Sequence, residues 1–118
     1  MAEDDDSNFK LIKAIIGKKC DIQWAKNGEE IVALFKEYGK EAKAILMDIK
    51  MPVMNGLDAT KIIREENKEI PIIMQTAYAF SSDKENAMNA GASEVLVKPI
   101  TLSILRGTLT KYFPELVW

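Results

Sequence analysis

Histidine is absent from the 118 residues, and cysteine occurs once, at Cys20. A lone thiol excludes an internal disulfide, and without an imidazole the chain has neither a thiol–histidine nucleophile nor a cysteine-based metal site. Cys20 is read as incidental. No charge of one sign dominates: 16 basic against 18 acidic residues leave a net charge of −2. With no basic cluster, nucleic acid is not expected as a direct partner. Apolar runs last only a few residues, so no signal peptide and no membrane insertion are expected, and the chain reads as cytoplasmic. Internal repeats and low-complexity linkers are also missing. With 47% hydrophobic residues the chain can bury one core, and a single domain over residues 1–118 is expected.

What is present centres on Ala44-Ile45-Leu46-Met47-Asp48-Ile49-Lys50-Met51-Pro52-Val53-Met54-Asn55-Gly56. Its first four residues are apolar without polar alternation, too short for a helix, and read as a strand buried on both faces of a parallel sheet. Asp48 closes that run. A carboxylate there stands at the carboxyl end of a strand, where open α/β sheets bind ligands. Pro52 stiffens the following loop, and Asn55-Gly56 forms a turn able to start a helix.

The flanking segments alternate in kind. After the acidic run Glu3-Asp4-Asp5-Asp6, the spacing of Phe9, Ile12 and Ile16 predicts a helix from about Ser7 to Ile16 that stops at Gly17. Asp21–Ala25 reads as a short strand. Asn27 and Glu30 resemble a capping box ahead of the apolar stripe Ile31, Leu34, Phe35 and Tyr38. Beyond the central strand, Leu57, Ala59, Ile62 and Ile63 mark a third helix, and Ile72-Ile73-Met74 a strand ending at Gln75-Thr76-Ala77. Ser82-Asp83-Lys84-Glu85 reads as a capping box for a fourth helix that ends at Gly91. Val95-Leu96-Val97 is a last strand before Lys98-Pro99, and Leu102, Leu105 and Leu109 mark a final helix ended by Pro114. Strand and helix in alternation predict a doubly wound α/β domain.

Parallel strands bring their carboxyl ends to one edge. Glu3, Asp4, Asp48, Thr76 and Lys98 therefore converge although they are distant in sequence. Three carboxylates about 5 Å apart repel by roughly 3 kcal/mol per pair at an effective dielectric near 20, so such a pocket recruits a cation. Oxygen donors without histidine or thiolate favour magnesium, which keeps waters and shares phosphate readily. One carboxylate can then act as nucleophile on phosphorus, with Lys98 and the Thr76 hydroxyl facing phosphoryl oxygens.

These motifs, Glu3-Asp4-Asp5-Asp6-Ser7-Asn8, Leu46–Gly56, Thr76-Ala77 and Lys98-Pro99, make the chain resemble the receiver domain of two-component response regulators, the CheY-like family. The likeness covers nearly the whole chain. Met47–Pro52 and Thr76-Ala77-Tyr78-Ala79-Phe80 look most like receivers attached to hybrid histidine kinases. The resemblance implies a five-stranded parallel sheet of flavodoxin-like order 2-1-3-4-5 and an Asp48 that accepts a phosphoryl group from a histidine kinase or histidine phosphotransfer protein. It implies Mg2+ held by Glu3, Asp4, Asp48 and the Lys50 backbone carbonyl, with Asp5 the next candidate. Thr76 would be the switch hydroxyl and Lys98 the partner of the phosphoryl group. It also implies a cis Lys98-Pro99 bond, and a weak homodimer is compatible with it. Such a chain is no enzyme beyond catalysing its own phosphorylation and dephosphorylation.

Two departures stand out. Val95 occupies the place of the family's aromatic switch residue, so output through that face is not expected in its usual form. Only Met1 and Ala2 precede Glu3, where the family has about five apolar residues, so the first strand is expected to be truncated to a stub and stability lowered. Adding an apolar segment ahead of Met1 is expected to raise the melting temperature, and an unchanged melt would refute this. Rival readings fit less well. A haloacid dehalogenase-type enzyme needs an acid two residues after the nucleophile, where Lys50 stands. A flavodoxin-like cofactor binder needs a phosphate-binding loop that no strand is followed by here. A pseudo-receiver that is never phosphorylated is the remaining alternative.

Overall fold

Ile45–Asp48 forms strand β1, buried along its whole length, in a computed structural model that describes residues 1–17, 21–77, 81–98 and 100–115. It pairs in parallel with β2 (Ile72–Thr76), aligning Asp48 with Gln75, and β2 pairs in parallel with β3 (Glu94–Val97), aligning Thr76 with Val97. On the other side of β1 the expected order is completed by single bridges. Ala2 bridges Met47 on one flank and Ala25 on the other, both parallel. The sequence of positions across the sheet is thus the 2-1-3-4-5 order, with its first two members reduced to one bridging residue each, Ala25 and Ala2.

Among the described residues, five helices connect these segments: α1 (Asp6–Ile16), α2 (Gly28–Tyr38), α3 (Gly56–Glu66), α4 (Ser81–Ala90) and α5 (Leu102–Tyr112). Their starts carry the chemistry that side-chain capping requires. Asp5, Asn27, Asn55 and Thr101 each accept a main-chain N–H from the first turn, satisfying donors that have no partner within the helix. The fourth helix begins two residues earlier than a cap at Ser82 predicts, so Ser82 lies in the first turn and not at the cap. Gly91 ends it with φ of +114°, a conformation that side chains disfavour.

Alternation along the strands divides the core. Ile45, Met47, Ile72 and Met74 face one way, toward Ile31 and Phe35 of α2, Ala59 and Ile63 of α3 and Ala87 of α4. Leu46 and Ile73 face the other way, toward Phe9, Ile12 and Ile16 of α1 and Leu105 and Leu109 of α5. Helices on both faces make the sheet doubly wound, and bury β1 and β2 from either side. Leu102, read with the last helix's apolar stripe, is 44% exposed. Where Met1 enters the sheet, an open groove of about 760 Å3 is lined by Met1, Ile22, Ile45, Leu46, Leu109 and Phe113.

The loop after Asp48 holds one strained residue. Val53 has φ of 68° and is 76% exposed, so a β-branched side chain occupies the left-handed region with little packing in return. Val53→Asn should relieve about 1 kcal/mol and raise the melting temperature by roughly 3–6 °C. A thermal melt no higher than that of the parent would contradict the assignment of strain.

Candidate functional site

Ala2 connects Glu3 to the sheet, and the bridge to Met47 sets the acidic run beside the end of β1. Glu3 N–H donates to Ala25 C=O (2.9 Å), and Asp48 N–H donates to Ala2 C=O (3.0 Å). Glu3, Asp4 and Asp48 consequently bring one carboxylate oxygen each within 4.8 Å of one another. Glu3 is fully buried, Asp48 is buried and Asp4 is exposed, so the cluster opens outward on the Asp4 side.

Lys98 closes the cluster. It directly follows β3, and its N–H donates to Thr76 C=O (2.7 Å), which anchors the backbone from which its side chain reaches across β2. Its Nζ lies 2.9 Å from Asp48 Oδ2 and 3.4 Å from Glu3 Oε1. Burial alone would lower the pKa of this ammonium, but the Asp48 and Glu3 carboxylates together hold it above the ordinary lysine value. Burial, then the adjacent Asp48 carboxylate, raises the pKa of Glu3, against the opposing pull of Asn8 and Lys98. Asp4 is also raised, by burial first and then by Glu3.

Thr76 ends β2 and is buried, and its hydroxyl donates to Asp83 Oδ2 on α4 (3.3 Å). Lys50 is exposed, two residues beyond Asp48. The main chain leading to it is fixed, because Ile49 N–H donates to Gln75 C=O (3.0 Å) and Ile49 C=O accepts from Gly56 N–H (2.8 Å). Asp5, the alternative acid, is the N-cap of α1, with Oδ1 accepting from Ser7 N–H at 2.8 Å and Asn8 N–H at 3.3 Å. Capping therefore accounts for Asp5, and the acid cluster forms from its two predecessors. Val95 aligns with Met74 and packs as a partly buried aliphatic side chain. Cys20, Tyr78–Phe80 and Pro99, with the expected cis bond, lie outside the described residues.

Three polar contacts around Glu3 were not read from the sequence. Asn8 Nδ2 donates to Glu3 Oε1 and lies 3.4 Å from Gln75 Oε1. Gln75 is 2% exposed, and its amide nitrogen has no partner among the described residues. Trp24 Nε1 donates to the Glu3 backbone carbonyl at 2.8 Å. The available signal was a lone glutamine ahead of Thr76 in an otherwise apolar strand; helical and strand periodicity carry no sign of the other two.

A family model described as "Response regulator receiver domain" matches residues 1–110. The chain belongs to the response regulator receiver family. Among curated relatives, this receiver is 40% identical to "Hybrid signal transduction histidine kinase I" of Dictyostelium discoideum over 98% of its own length, and spans 7% of that relative. Two solved structures share its fold closely. One is the receiver domain of sensor histidine kinase PA1611 from Pseudomonas aeruginosa, with a magnesium ion in its active-site cleft (30% identity, TM-score 0.82, 96% of this chain and 93% of that one). The other is the receiver domain of Saccharomyces cerevisiae Ssk1 in complex with the histidine phosphotransfer protein Ypd1 (31% identity, TM-score 0.86, 94% and 84%). The expected doubly wound, CheY-like architecture of this receiver is thereby established. No helix among its described residues is long and apolar enough to cross a membrane.

Proposed function

We propose that this receiver takes a phosphoryl group on Asp48 from a phosphohistidine of a histidine kinase or histidine phosphotransfer protein. The observation that carries the reading is Asp48 at the end of β1, with the Lys98 ammonium 2.9 Å from Oδ2 and the Glu3 and Asp4 carboxylates beside it. An Asp48 oxygen attacks phosphorus, the new O–P bond forms as the P–N bond breaks, and the imidazole departs with the electron pair and is protonated by water. Lys98, already drawn to this place by two carboxylates, is placed to pair with a phosphoryl oxygen. Hydrolysis of the acyl phosphate returns the carboxylate, so the only reactions catalysed are the chain's own phosphorylation and dephosphorylation.

The donor set suits Mg2+. Three carboxylates offer hard oxygen atoms within 4.8 Å, and the open side at Asp4 leaves room for water. Glu3, Asp4, Asp48 and the Lys50 carbonyl would hold the ion, which would offset charge on the transferring group. Support comes from the magnesium-bound PA1611 receiver and from the Ssk1 receiver's complex with a phosphotransfer protein. The test is transfer from a phosphohistidine-loaded phosphotransfer protein. Label should move to the parent with Mg2+ present and not to Asp48→Asn; label retained on the donor in both would overturn the proposal.

A further inference from the structure

The main chain at Glu3 is held on either side of its Cα, at the Glu3–Asp4 carbonyl and at the Glu3 N–H. The carbonyl accepts the Trp24 indole N–H at 2.8 Å, and the N–H is bound to Ala25 C=O at 2.9 Å. The indole is clamped in turn. Phe9 of α1 stacks on it with ring centroids 4.2 Å apart and planes inclined by 17°. The Lys26 ammonium lies 5.0 Å from the ring centroid. Such contacts restrict the ring and aim its single donor. The residue next to Phe9, Asn8, donates to the Glu3 carboxylate. One turn of α1 thus governs both ends of Glu3, its side chain directly and its carbonyl through Trp24.

We infer that Trp24 is a positioning residue for the cation site, fixing the plane of the Glu3–Asp4 peptide and hence where the exposed Asp4 carboxylate stands relative to Asp48. The inference rests on the reading that Glu3, Asp4 and Asp48 bind a divalent cation. Asp4 is exposed and its side chain is loosely packed, so the peptide from which it projects sets its direction. Losing the indole N–H leaves that peptide free to rotate, and one lost neutral hydrogen bond corresponds to about a three- to tenfold change in affinity. The same contact couples the indole to the site, so cation binding should alter its emission.

Two measurements test this. Calorimetric titration with Mg2+ compares the parent with Trp24→Phe, Asp4→Asn and Ile63→Val, a core substitution in α3 that lowers stability away from the site. Emission is titrated in a Trp118→Phe background, where Trp24 is the remaining tryptophan. The expected result is a roughly three- to tenfold weaker Mg2+ affinity in Trp24→Phe, parent affinity in Ile63→Val and loss of binding in Asp4→Asn. Trp24 emission should change with the calorimetric midpoint, and the change should vanish with Asp4→Asn. Parent affinity in Trp24→Phe, with Asp4→Asn defective, overturns the positioning role and leaves the cation site standing. No Mg2+ binding by the parent overturns both. If Trp24→Phe does not fold, the emission titration decides: a response lost in Asp4→Asn supports the role, and silence at saturating Mg2+ overturns it.

Discussion

Replacing Lys98 with alanine is expected to slow phosphoryl uptake by about a hundredfold while tightening Mg2+ binding severalfold. The two effects have opposite signs because the ammonium plays opposite parts in them. Toward a phosphoryl group it is a preorganised positive donor, and removing one such donor at the place where negative charge gathers costs on the order of 10²-fold in rate. Toward a cation it is a competitor, lying 2.9 Å from Asp48 and 3.4 Å from Glu3 and neutralising the carboxylates that would attract a second positive charge. Lys98→Arg keeps the charge but not the compact point donor, and should recover only part of the rate. Uptake kinetics with a small acyl phosphate and a parallel calorimetric titration measure both effects. Unchanged uptake in a folded Lys98→Ala protein, or weaker Mg2+ binding, would contradict the role given to this side chain.

The second large effect concerns a methyl group. A Cβ added at Gly56 would lie 2.2 Å from the Asp48 carbonyl oxygen, 2.9 Å from Met74 Cε and 3.1 Å from the Asp48 carbonyl carbon. Two of these atoms are main chain at the end of β1 and cannot turn aside. Gly56 N–H also donates to Ile49 C=O, which ties the start of α3 to the same segment. Gly56→Ala must therefore push α3 away from β1, and overpacking of this kind costs about 2–3 kcal/mol. The melting temperature should fall by roughly 10 °C. Gly107 in α5 is the internal comparison, since nothing lies within 4 Å of a Cβ there. Gly107→Ala exchanges a poor helix former for the best one and should stabilise by about 0.5–1 kcal/mol. Equal melting temperatures for the two variants would refute the packing argument.

Much of this could be read along the chain because the relevant residues stand at strand ends. Once Ile45–Met47 and Ile72–Met74 are recognised as doubly buried parallel strands, Asp48, Thr76 and Lys98 must share one edge whatever their separation in sequence. Asn55 and Gly91 declare helix ends through local turn chemistry, which is why those boundaries fell close to the observed ones. The surroundings of Glu3 were not legible in the same way. Asn8 and Trp24 reach it through the docking of α1 against the first two sheet positions, and no period of two or 3.6 encodes that contact. Gln75 was visible as a residue but not as a buried one, because its neighbours suggested that the strand was already ending. Among the described residues the five strands of the expected sheet became a three-strand ladder with two bridges, both at Ala2. Asp5 shows the limit of reading an acidic run by register. Four adjacent acids look interchangeable in sequence, and only the start of α1 separates the cap from the cluster.

The most direct measurement is the intact mass of the folded protein after mixing with Mg2+ and a small acyl phosphate, beside Asp48→Asn. The parent should gain the mass of one phosphoryl group. The variant, and the parent stripped of divalent cation, should gain none. A folded parent that gains no mass from the acyl phosphate or from a phosphohistidine donor would contradict phosphoryl acceptance. Equal gain by Asp48→Asn would contradict the assignment of Asp48.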